Sequence, residues 1–68
     1  MTVGLKIKTL REARNLSQGE LAERAAISQA QISRIENGKY RSIKALQRIA
    51  AALGITLSQL FEGAEGDG

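Results

Sequence analysis

Ser17-Gln18-Gly19-Glu20-Leu21-Ala22-Glu23-Arg24-Ala25 runs through Ala26-Ile27-Ser28 into Gln29-Ala30-Gln31-Ile32-Ser33-Arg34-Ile35-Glu36-Asn37-Gly38. Two copies of one start signal lie in this stretch. Ser17 with Glu20, and Ser28 with Gln31, fit the capping box, in which a hydroxyl takes the third helical N–H and the acid or amide reaches back. Leu21, Ala22 and Ala25 make one short apolar stripe, and Ile32 with Ile35 another. Gly38 stands where a helix ends in a left-handed residue. The spacing predicts helices over 18–25 and 29–36 joined by Ala26-Ile27-Ser28 alone. Two short helices across so tight a turn cross steeply and present the second on the outside.

The same signals extend outward in both directions. Val3, Ile7 and Leu10 share one helical face. Thr2 is a candidate cap before them and Asn15 a candidate stop behind. Ser42 precedes the stripe Ile43, Leu46, Ile49, Ala50 and Leu53, which ends at Gly54. Thr56-Leu57-Ser58-Gln59 is a third capping box, opening Leu57, Leu60 and Phe61. With no Pro and no alternating run, the reading is all-α, five helices at about 3–14, 18–25, 29–36, 43–53 and 57–61. Residues 1–61 make one domain. The tail 62–68, with three glycines and three acids, has little to bury and is expected to be disordered.

Composition narrows the chemistry. The 68 residues contain no Cys and no His, so a disulfide framework and the usual catalytic bases and nucleophiles are missing. Glu20 and Glu23 share a helix face, but the capping box and a solvated surface account for them better than a metal does. An enzyme is not expected, nor a cofactor, metal or small-molecule ligand. A chain this short has a marginal core, so stability must come from well-formed helices, self-association or both. Residues 1–48 hold ten bases and four acids, and residues 49–68 three acids and no base. A basic body with an acidic tail suits a polyanionic partner. No signal-like or membrane-length apolar run is present, the longest being Ile49–Leu53, so a cytoplasmic location is expected.

Helix 29–36 divides by face. Ile32 and Ile35 point inward, which leaves Gln29, Ala30, Gln31, Ser33 and Arg34 elsewhere. A solvated face usually carries Glu/Lys pairs; this one carries groups that read base edges. Gln pairs with adenine, Arg with guanine, and the Ala methyl packs on thymine in a major groove about 12 Å wide. The capping box gives Gln31 a competing role at the helix start.

Nearly the whole chain, Val3 to Phe61, resembles the lambda-repressor-like helix-turn-helix proteins, the phage repressor/Cro or XRE class. Leu16-Ser17-Gln18-Gly19-Glu20-Leu21-Ala22, Ile27-Ser28-Gln29, Ile32 to Lys39 and Leu46 to Ile55 carry the resemblance, in order and without a gap. It implies a compact five-helix domain with the helix-turn-helix at about 18–36. It also implies a bacterial or phage transcriptional regulator, repressor-like or controller-type, in the nucleoid, binding a palindromic operator in double-stranded DNA as a homodimer. By position, Gln29, Ala30, Gln31, Ser33 and Arg34 would read bases. Gln18, Asn37, Lys39, Tyr40, Arg41 and Lys44 would hold the DNA backbone, and Arg11 and Glu36 would form a buried ion pair. The competing expectation is a protein-interaction module of the same fold, such as an antitoxin subunit.

Three departures from the family pattern stand out. Ala26 replaces the usual turn Gly, at a cost of about 1–2 kcal/mol for positive φ. Ile43 stands where Pro often opens the fourth helix. Gly19 sits inside a first helical turn, at about 0.5–1 kcal/mol relative to Ala. For the dimer, Leu60 continues the core stripe from Leu53, while Phe61 lies about 100° further round the helix. Leu57, Gln59 and Phe61 are therefore the expected dimer contacts.

Overall fold

Every helix begins at a hydroxyl. The computed structural model describes residues 1–40 and 42–64. Its elements are α1 (Val3–Ala13), α2 (Gln18–Ala25), α3 (Gln29–Glu36), α4 (Ile43–Leu53) and α5 (Leu57–Phe61). Thr2, Ser17, Ser28, Ser42 and Thr56 each hold an extended backbone and accept the third helical N–H. Such a cap contributes about 1 kcal/mol over alanine. All three capping boxes close in both directions. No strand occurs among the described residues.

The stops follow local backbone chemistry. Gly54 takes the left-handed conformation after α4, and Asn15 and Ala26 are non-glycine residues that do the same. Helix α1 ends at Ala13, one residue before the expected limit, because the chain turns into Asn15 through Arg14. At the α2–α3 turn, Ile27 N–H donates back to Ala22 O at 3.0 Å, which satisfies a carbonyl orphaned at the helix end.

The apolar stripes converge on one core. Ile7, Leu21, Ile32, Leu46, Ile49 and Leu60 are fully buried, with at least one from every helix. Each such side chain contributes about 1.5–3 kcal/mol over remaining exposed. Helix α2 packs against α3 and α4, α1 against α3, and α5 closes the bundle against α4 and α1. Leu60 enters the core as its stripe implies, while Leu57 and Phe61 pack half-buried at its edge.

Two contacts of α1 have no counterpart in the hydrophobic pattern. Gly4 is buried, and a Cβ there would stand 2.7 Å from the Glu36 carbonyl and closer still to that of Ile35. Glycine lets α1 meet the end of α3 backbone to backbone. Lys6 donates its Nζ to Gln59 O at 2.8 Å and also to Glu62 O, so a cation tops the C-terminal end of α5, where the helix dipole is negative. Beyond α5, Ala64 N–H donates to Phe61 O and the Ala64 side chain packs half-buried on the core. The chain thus stays packed past Phe61. Arg41 and 65–68 lie outside the described residues.

Candidate nucleic-acid interface

The site is built on α3, which stands in the molecule by its apolar face. Ile32 and Ile35 are buried, and Gln29, Ala30 and Arg34 on the remaining surface are exposed. Ser33 and Gln31 are half-buried at the margins. Gln31 serves the cap: its Oε1 accepts from Ser28 N at 2.9 Å and from Ser28 Oγ at 3.2 Å. The carbonyl half of that amide is committed to the helix start.

One end of α3 is locked by charge. Arg11 donates from Nε to Glu36 Oε2 at 2.7 Å and from Nη2 to Glu36 Oε1 at 3.2 Å. Its Nη1 donates to Leu16 O at 2.8 Å, so one guanidinium ties α1 to the entry of α2 and the last residue of α3. The two side chains are only 9% and 3% exposed. The hydrogen bond to Glu36 raises the Arg11 pKa above its ordinary value, against the opposing effect of burial. Gln18 joins this knot. Its Nε2 donates to Glu36 Oε1 at 3.1 Å, which uses one of the two amide hydrogens of a half-buried side chain. Glu36 attracts it because a carboxylate with two donors still has lone pairs to satisfy.

Beyond this knot the side chains stand open. Asn37, Lys39, Tyr40 and Lys44 are exposed, in the loop after α3 and the first turn of α4. Arg41, expected among them, lies outside the described residues. A shallow hollow of about 260 Å³ opens between the α2–α3 turn and the start of α4, bordered by Ile27, Gln31, Tyr40, Lys44 and Arg48. Arg48 Nη1 donates to Ala26 O at 3.2 Å, clasping the turn where the backbone carries the strained alanine. Sequence reasoning gave Arg48 no role; its only signal was a base one helical turn beyond Lys44. Across the turn, α2 starts with a capping box in which Ser17 N donates to Glu20 Oε1 at 2.8 Å. That bond, with the Ser17 hydroxyl, pulls the Glu20 pKa down. The box leaves the N–H groups of Gln18 and Gly19 without an acceptor inside the helix.

An outward helix, its exposed Gln-Ala-Arg face and a tight capped turn before it make up the known motif, and a helix-turn-helix family profile matches residues 7–60. The chain belongs to the helix-turn-helix family. This helix-turn-helix chain is 43% identical over 61 residues to the immunity repressor protein of Bacillus phage phi105, covering 88% of itself and 42% of that protein. It is 45% identical over 64 residues to the control protein C.MunI of Mycoplasma sp, covering 91% of itself and 86% of that protein. The chain therefore spans less than half of the phage repressor but most of the control protein. Among solved structures, SinR, a master regulator for biofilm formation crystallised with DNA, superposes with a TM-score of 0.80 at 31% identity. That match covers 88% of this chain and 98% of SinR's. An HTH_3 family transcriptional regulator from Vibrio cholerae superposes at 0.81 and 31% identity, covering 90% of this chain and 35% of that one. The all-helical, lambda-repressor-like architecture of this chain is shared with these two solved regulators, and a DNA-binding regulator of the XRE class is what the family supports. Among the described residues no helix is long and apolar enough to cross a membrane.

Proposed function

We propose that two copies of this chain bind a palindromic operator in duplex DNA, each laying α3 in the major groove of one half-site. The observation that carries the reading is the exposed Gln29-Ala30-Arg34 face on a helix whose other side is anchored by two buried isoleucines. Gln29 and Arg34 are the base readers, Ala30 offers its methyl to thymine, and Gln31 and Ser33 border that face. Asn37, Lys39, Tyr40, Arg41 and Lys44 hold phosphates on one flank. On the other flank the phosphate is met by Gln18 and the N–H groups opening α2. The protein acts as a repressor or controller of transcription on the nucleoid.

Specificity argues for two copies. One α3 reads only a few base pairs, too few against genomic competitors. A two-fold pair reads half-sites one helical turn, about 34 Å, apart. The contact falls on Leu57, Gln59 and Phe61 of α5, on the edge of the core. So short a helix buries little, so pairing is weak in free protein and strengthened on the operator.

The test is DNA binding across salt concentrations together with sedimentation of the complex. Two proteins per palindrome are expected, and Lys39→Ala should reduce the log–log salt slope by about one unit. One protein per palindrome at saturation ends the dimer. Retention that neither depends on salt nor discriminates between sequences favours the protein-docking alternative.

A further inference from the structure

We infer that Gly19 is a specificity-determining residue, setting the pose of the Gln29 carboxamide from across the turn. The inference rests on the base-reading role proposed for Gln29. Gly19 occupies the first turn of α2, where glycine weakens a helix, and the helix start is already secured by Ser17 and Glu20. What the glycine admits is the side chain of the first residue of α3. A Cβ on Gly19 would stand 3.2 Å from Gln29 Oε1 and 3.7 Å from its Cδ. No backbone atom from outside its own helix crowds that position within the same reach; the near neighbours are the Gln29 amide and, at 3.9 Å, Ser17 Oγ. The space a methyl group would fill is therefore bordered chiefly by the one flexible amide that leads α3.

The consequence is geometric. With Gly19, the carboxamide lies back against the first turn of α2 before any DNA arrives. A methyl group there forces it outward by a few tenths of an ångström or into another rotamer. An amide that pairs through both of its atoms with one base edge depends on distance and angle together, and hydrogen bonds weaken steeply away from linearity. Gly19 thus acts on sequence choice without touching a base.

The experiment uses the full chain and an operator recovered by selection from random duplexes. Affinities are measured for that operator and for its single-base-pair variants, with wild type, Gly19→Ala, Gln29→Ala and the double variant. The readout is the ratio of affinities between sites, in which any change in folded fraction cancels. Gln29→Ala is expected to relax preference at one base pair. Gly19→Ala should change discrimination at that same pair by about twofold to tenfold, a part of what a full base contact contributes, and at no other. In the Gln29→Ala background it should change nothing. Unaltered discrimination in Gly19→Ala overturns the inference while leaving base reading by Gln29 intact. An equal effect in both backgrounds also overturns it, since the methyl would then act on the phosphate at the start of α2. If Gln29→Ala relaxes no position, the base-reading role itself falls, and this inference with it.

Discussion

The closed C-terminal end of α3 and its open outer face put the same polar chemistry to opposite uses. At its C-terminal end Glu36 is closed in by Arg11 and Gln18, three polar side chains from three helices that bond to one another. Along its outer face Gln29 and Arg34 stand exposed, and so do Lys39 in the loop that follows and Lys44 in the first turn of α4. Burial separates the roles. A polar group taken out of water must find its partner inside the fold, so the closed end fixes where α3 lies. A polar group left in water keeps its bonding capacity for a ligand, so the open face is where recognition belongs.

That division gives an ordered set of tests. Glu36→Ala strands the Arg11 charge in a nearly closed site and should cost about 3–5 kcal/mol of stability, measured by urea or thermal unfolding. A loss under about 1 kcal/mol would mean the knot behaves as an exposed pair. Arg34→Ala should leave stability within about 0.5 kcal/mol and weaken operator binding by about 1–3 kcal/mol, measured by titration. Equal losses on operator and random DNA would remove Arg34 from base reading. The smallest effect belongs to the hinge between the two helices. Ala26→Gly relieves the left-handed alanine but frees the unfolded chain, so a net gain of about 0.5–1 kcal/mol is expected in the melting curve. A loss there would show that the freedom gained by the unfolded chain outweighs the relief of the φ angle.

Much of this architecture is legible in the residues themselves. Serine and threonine caps, with Glu20, Gln31 and Gln59 at the third helical position, mark where three helices begin because their bonds are local. Left-handed stops are equally local, which is why only the end of α1 moved, by one residue. The inaccessible part is tertiary. Gly4 looks like a weak spot in a helix until the backbone of α3 is beside it, and Gly19 looks the same until Gln29 is. Lys6 and Arg48 read as ordinary surface charge because the carbonyls they meet are remote in sequence. Gln18 is the sharpest case. A glutamine at a helix start gives no sign in the sequence that a carboxylate eighteen positions away will take one of its amide hydrogens.

The lysine that tops α5 also bears on the order in which the molecule assembles. Lys6 and the Gln59 carbonyl are separated by 53 positions, so almost the whole chain must be gathered before they meet. The entropy of closing a loop rises with its length, whereas the α2–α3 pair closes over a three-residue turn. Local pairs of helices are therefore favoured early and the first-to-last junction late. The surface proposed for self-association sits on that final junction. A nascent or partly unfolded chain would then lack the very edge by which two copies join, so pairing itself selects for chains that have finished folding.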